Sequence, residues 1–155
     1  MDTAEYRLKD LGIEFPKSRI NGQGVTTYKL VGDLLMLGGV SPVDEQGQQS
    51  YTGRIGCEYS VEEGYQAARL VGLNALRIIK DALGNLDKVD YVVKAMVLVS
   101  AVPGFEDIYR VADGFSDVLT ECLGERGVHA RNAVGASTLQ GNVPVICDVY
   151  VKVRD

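Results

Sequence analysis

The residue best suited to hold a small ligand is Arg131. Read as a strand, residues 129–137 place His129, Arg131, Ala133 and Gly135 on one face, because strand side chains alternate. Alanine and glycine beside an arginine leave space next to a guanidinium, whose planar fork matches a carboxylate in two parallel hydrogen bonds. The same guanidinium could equally be half of an ion pair with Asp148 or another acid, and the sequence leaves both readings open. Asp148 falls in a last strand, residues 145–153, on a face shared with Ile146, Tyr150 and Lys152. Val145, Cys147, Val149 and Val151 point the other way, into a core. A carboxylate there can position a water or accept a proton, and a salt-bridged edge acid is the structural alternative. His129 has the side chain of an acid–base catalyst, but it stands at a strand start beside Arg126, where a surface histidine is expected.

The remaining side chains narrow the chemistry. Glu62-Glu63 and Glu106-Asp107 sit at helix starts, where acids complement the helix dipole. Cys57, Cys122 and Cys147 are far apart and have no visible activating partner, so they read as small hydrophobes and not nucleophiles. An odd, scattered set of cysteines fits a reducing compartment, and a cytoplasmic location is expected. With a single histidine and no CxxC, a His-rich zinc site or an HExxH protease is excluded, and no metal is expected. The GQG at Gly22–Gly24 has Thr27 where a dinucleotide loop needs a third glycine. There is no GxxxxGK[ST] either, so no cofactor is expected.

Charge and hydropathy exclude two partner classes. Sixteen Lys and Arg against 21 Asp and Glu give a net charge of −5, which argues against a phosphate-tracking surface. Arg126, His129 and Arg131 form the main basic cluster, and no aromatic residues interleave it, so no nucleic-acid partner is expected. The start is charged and lacks an apolar signal core, and no run of 18 apolar residues occurs. No membrane partner is expected.

The elements that must position these residues follow from periodicity. The length of 155 residues favours one domain. Residues 1–24 read as an N-terminal arm with Pro16 and, at most, one short helical turn, and residues 25–155 as the domain. Apolar runs at 25–31 and 34–39 flank Gly32-Asp33, a hairpin turn signal. Residues 41–59 read as a long connection with a short strand near 54–57. Ser60 and Glu63 make a capping box. Val61, Tyr65, Ala68, Gly72, Ala75, Ile79 and Leu83 then recur at helical spacing until Gly84. A strand at 89–101 puts Tyr91, Val93, Ala95, Val97 and Val99 on one face and Val92, Met96 and Leu98 on the other. It reads as central and covered on both sides. A second helix at 106–123 is weakened by Gly114. The order ββαβαββ predicts an α+β fold, a mixed sheet with both helices on one face. No third helix remains to cover the other face, so association of copies through it is expected.

The stretch TGRIGCEYSVEEGYQAARLVGLNALRIIKDALGNLDKVDYVVKAMVLVSAVPGFED resembles the middle of the RidA (YjgF/YER-type) family. So do VADGFSDVLTECLGERGVHARNAVGAS and the LMLGG strand, and the resemblance spans residues 25–153. It implies a chorismate-mutase-like single domain, a homotrimer and ligand clefts between subunits. It also implies a cofactor-free imine or enamine deaminase acting on a small carboxylate-bearing substrate. The family arginine that grips the carboxylate falls on Arg131, and the ligand-binding backbone on Gly38 and Gly39. Asp148 matches the second acid of a V-E-I-E run, whereas the first, which holds the hydrolytic water, is Ile146 here. The family cysteine two residues after the arginine is Ala133, and the family tyrosine before the first strand falls near Val25 and is not matched. An apolar Ile146 cannot accept the water's hydrogen bond, which raises a second reading, a catalytically silent binder or sensor of a small carboxylate. Ribonuclease activity, a label often attached to the family, is opposed by the acidic balance and the single histidine.

Overall fold

The computed structural model describes residues 3–14 and 24–155. Pro16 and most of the GQG turn lie outside the described residues. What is described of the expected arm is a two-turn helix, α1 (Ala4–Asp10), with Ala4 and Leu8 in the main core cluster. Side chains pin it: the Ala4 N–H donates to Asp87 Oδ1 at 2.9 Å, and Glu5 meets Lys80 at 2.6 Å.

Strands β1 (Tyr28–Val31) and β2 (Leu34–Val40) form the expected hairpin about Gly32-Asp33. The long connection after them is not a strand; it makes isolated bridges, Val43 to Gln49 and Ile55 to Tyr59 and Ala101. Helix α2 (Val61–Leu83) starts at the Ser60–Glu63 capping box and stops at left-handed Gly84, both as the sequence predicts. Strand β3 (Val89–Ser100), helix α3 (Ile108–Leu123), β4 (Ala130–Ala136) and β5 (Val145–Val153) complete the described elements.

The sheet order is β1-β2-β5-β3-β4. The β3–β4 pair, joined through α3, is parallel and the rest are antiparallel, which makes the sheet mixed and the fold α+β. Both long helices lie on one face. Against them pack Leu35, Leu37, Ala95, Val97, Val99 and the Val145–Val151 alternation of β5, all buried. Asn74 of α2, itself buried, donates from Nδ2 to the Ser41 and Val43 carbonyls and ties the helix to the chain leaving β2. The two bonds satisfy the amide nitrogen, while the buried Oδ1 has no hydrogen-bond partner among the described residues.

Strand β3 departs from the sequence expectation. Strict alternation groups Tyr91 and Val93 with Ala95, but the ladder to β5 shifts register between Val89 and Tyr91 and again between Val92 and Lys94. Each irregularity advances the phase, so Val92 is buried with Ala95, Val97 and Val99, and Tyr91 and Val93 face outwards. Nor does the chain cover both faces of β3. Tyr91, Met96, Val134 and Tyr150 are exposed on the side without helices.

Gly114 also reads differently in the fold than in the sequence. It is not a weak point of α3 but the place where α3 meets α2. A Cβ at Gly114 would collide with the Tyr65 carbonyl oxygen, and one at Gly72 would come within 3.2 Å of the Phe115 carbonyl. Gly114→Ala should therefore lower stability by roughly 1–3 kcal/mol, the usual cost of overpacking. That outweighs the gain of about 1 kcal/mol in helix propensity. A urea midpoint that stays the same or rises would show that the two helices do not touch there.

Candidate functional site

Arg131 projects from the edge strand β4 towards the helices. Its register partner Ala95 and the next partner across, Val149, are both buried on the helix side. Its Nη1 donates to Asp113 Oδ1 at 2.9 Å and to Ser116 Oγ at 3.2 Å, and Nη2 lies 3.5 Å from the Tyr109 carbonyl. Asp113 and Ser116 are three residues apart on α3, so one helix face presents both. The acid that pairs with Arg131 is thus Asp113, not Asp148. Nε makes no hydrogen bond among the described residues, so the guanidinium is held through its two Nη atoms and keeps one donor in reserve.

His129 is not a surface histidine. Its Nδ1 lies 2.6 Å from the Gly127 carbonyl, which only accepts, so Nδ1 carries the proton. Nε2 then accepts from the Ser116 hydroxyl at 3.0 Å. Burial pushes its pKa below the ordinary 6.5; the nearby Arg131 charge adds to this, and the Gly127 hydrogen bond opposes it. The side chain is neutral at neutral pH and serves to orient Ser116 beside Arg131.

Asp148 is on the opposite face. Its partner across the ladder is Met96, which pairs in turn with Asn132, and both are exposed. Its Oδ1 accepts the Gly39 N–H at 2.8 Å. Gly39 has φ of +68°, a left-handed value that suits glycine, and the ladder slips between Leu37 and Val40. Asp148 therefore clamps a bulge in β2, with Gly38 against it: a Cβ there would stand 3.8 Å from Oδ1. Ile146, opposite Leu98, shares this face. So the chain brings Gly38, Gly39, Ile146 and Asp148 together on one side of the sheet and Arg131 with Ala133 on the other.

The space beside Arg131 differs from expectation as well. Ala133 packs against the core, and the open volume lies further along the strand at Gly135. There a cavity of about 260 Å³ is lined by Gly135, Ile108, Phe105 and, from the long connection, Arg54. Sequence reasoning missed Asp113, Ser116 and Arg54. The first two had a signal, since they sit at helical spacing on the amphipathic α3; Arg54 had none.

Cys122 and Cys147 are buried and unreactive by environment, whereas Cys57 is exposed, against the sequence reading of it as a small hydrophobe. Burial pushes the Cys122 thiol up to about 11 and raises that of Cys147 well above its ordinary range. No group of three or more metal-ligating side chains lies among the described residues, and no helix there is long and apolar enough to cross a membrane.

Residues 5–153 match the family described as "YjgF/chorismate_mutase-like, putative endoribonuclease". The chain belongs to this YjgF/chorismate-mutase-like family. Protein TCP17 of Trypanosoma cruzi is 35% identical over 149 residues, covering 96% of this chain and 92% of its own. The crystal structure of an Agrobacterium tumefaciens protein of unknown function is 34% identical, with TM-score 0.89, over 97% of this chain and 94% of that one. A Shewanella oneidensis "putative endoribonuclease" is 30% identical, with TM-score 0.93, over 98% of this chain and all (100%) of that one. The β1-β2-β5-β3-β4 sheet backed by α2 and α3 is thus the YjgF-family architecture.

The histidine yields a pH prediction. Unfolded, His129 takes up a proton near pH 6.5; folded, it resists, so its contribution is complete above about 6.5 and is lost as pH falls through the lower folded value. Between about pH 7 and pH 5 the wild-type Tm should fall further than that of His129→Gln. Parallel Tm profiles would rule out the neutral, Ser116-bound imidazole.

Proposed function

We propose that this YjgF-family chain is a cofactor-free hydrolase of small imines or enamines bearing a carboxylate, working in clefts between copies of a cytoplasmic homotrimer. The observation that carries the reading is Arg131, held by Asp113, Ser116 and the Tyr109 carbonyl with its Nε unbonded among the described residues. A guanidinium already fixed by a partner loses little freedom when it takes a carboxylate in a fork. The reaction asks little more. The imine carbon is electrophilic; water adds to it, a water proton passes to nitrogen, and the carbinolamine collapses to a keto acid and ammonia.

The separation of Arg131 and Asp148 on two faces favours a site shared between copies. The face with Asp148, Gly38 and Gly39 also presents Met96 at 39%, Val134 at 42% and Tyr150 at 39% exposure. Such a patch on one side of a sheet is a mark of association. A neighbouring copy seated on it brings its own edge strand, with Arg131, towards the Asp148 bulge. The acidic charge balance gives the ribonuclease label no support.

A second reading, a silent binder of a small carboxylate, is favoured by two observations. Ile146 offers no acceptor, and one oxygen of Asp148 is committed to Gly39. Its free oxygen remains as the water holder in the first reading.

Two measurements test this. Light scattering after size exclusion should give three copies, and a monomer would remove the shared cleft. Ammonia release from enzymatically generated imino acids should fall roughly 10- to 100-fold in kcat/KM for Arg131→Gln, which matches a lost charged hydrogen bond of about 1.5–3 kcal/mol. Absence of release by wild type across a broad imine panel would leave the silent binder.

A further inference from the structure

The cavity at the ends of β3 and β4 has one charged side chain among the residues that line it, Arg54, and its walls include Val102, Phe105, Ile108 and Ala136. Arg54 is held from both sides by the backbone. The Gly53 N–H donates to the Asn142 carbonyl at 2.7 Å, and the Ile55 N–H to the Ser100 carbonyl at 2.9 Å. The Ile55 carbonyl accepts from Val102 at 3.1 Å, and the Ile55 side chain is fully buried. The nearby acid is already used. Glu58 Oε2 accepts the backbone N–H of Arg54 at 2.8 Å, and that bond holds the Glu58 carboxyl below its usual range. Glu58 is near enough to attract the Arg54 charge, but no carboxylate among the described residues comes within ion-pair distance of its guanidinium.

A guanidinium carried by a backbone-anchored residue at a mainly apolar hollow selects a particular chemistry. It supplies one planar fork, which suits a carboxylate. The walls supply contact for a short apolar body. The volume, equal to about nine waters at their liquid share of roughly 30 Å³, suits a molecule of a few carbons. A phosphate dianion would find a single cationic partner and apolar walls. We propose that this cavity binds a short-chain monocarboxylate through Arg54, at a place distinct from Arg131.

The site stands apart from imine hydrolysis, so the test reads binding and not turnover. Amide resonances of the ¹⁵N-labelled full chain are followed during titration with 2-oxobutanoate. Saturable shifts are expected at Gly104 and Ala136, weakened at least tenfold in Arg54→Gln and partly restored in Arg54→Lys. Gly135→Leu should weaken them as well without removing charge. A Cβ there meets Ile108 at an ordinary 3.4 Å, so the strand can accept a side chain that fills the hollow. Affinity should fall with added salt. Shifts that persist unchanged in Arg54→Gln, or shifts absent from wild type, overturn the proposal. Shifts that vanish in Arg131→Gln but not in Arg54→Gln place the carboxylate at Arg131 and overturn it too. Inorganic phosphate competing as well as the oxo acid overturns the carboxylate assignment. Loss of ammonia release with these shifts intact would count against the hydrolase reading and leave this site standing.

Discussion

The close passage of α2 and α3 is the constraint on which the rest depends. Glycines at 64, 72 and 114 let the two helices approach until backbone meets side chain and backbone. That spacing sets the height of α3 above the sheet. From this height Asp113 and Ser116 reach Arg131 on the edge strand, and the first turn of α3 closes one wall of the cavity beside Gly135. A helix seated further out would leave Arg131 without its orienting partners. Packing of the helix pair and placement of the guanidinium are thus one problem solved once.

The sheet separates two chemistries that a linear reading joins. Arg131 belongs to the helix side, where it is half-buried against α3. Asp148 belongs to the bare side, where its Oδ1 clamps the Gly38-Gly39 bulge and its other oxygen has no hydrogen bond among the described residues. Strand alternation fixes this division, because Arg131 and Asp148 pair with adjacent residues of β3, Ala95 and Met96. No rotamer change brings them together within one protomer. Any site that uses both must be completed from outside the chain.

Much of this was legible where the determinant was local. The Ser60–Glu63 box and Gly84 bound α2 because capping is a matter of a few neighbouring residues. The alternation of β5 predicted which of its residues enter the core, and the hairpin at Gly32-Asp33 followed from two residues. Legibility failed where a distant partner decides. The phase of β3 slips because β5 imposes bulges, and no residue inside β3 announces them. Gly114 scores as a helix weakness on propensity alone, while its reason lies 49 positions earlier at Tyr65. Arg131 and an acid were correctly seen as possible partners, but Asp113 rather than Asp148 was the acid, because helix placement and not strand sequence decides. Arg54 drew no notice, since its meaning comes from the strand ends it is tied to.

One property of the sheet bears on how the chain reaches this state. The strand with neighbours on both flanks at the middle, β5, follows every other strand in chain order. As the polypeptide emerges, the β1–β2 hairpin and the β3–α3–β4 unit can each form early, but nothing joins them until β5 slots between β2 and β3. Assembly therefore waits on contacts of long sequence separation, which slow folding because loop-closure entropy is spent before they are made. Until that moment two unsatisfied strand flanks, on β2 and β3, stand open to the wrong partner. The final strand acts as a keystone, and the cell's exposure to misassembly lasts as long as its insertion takes.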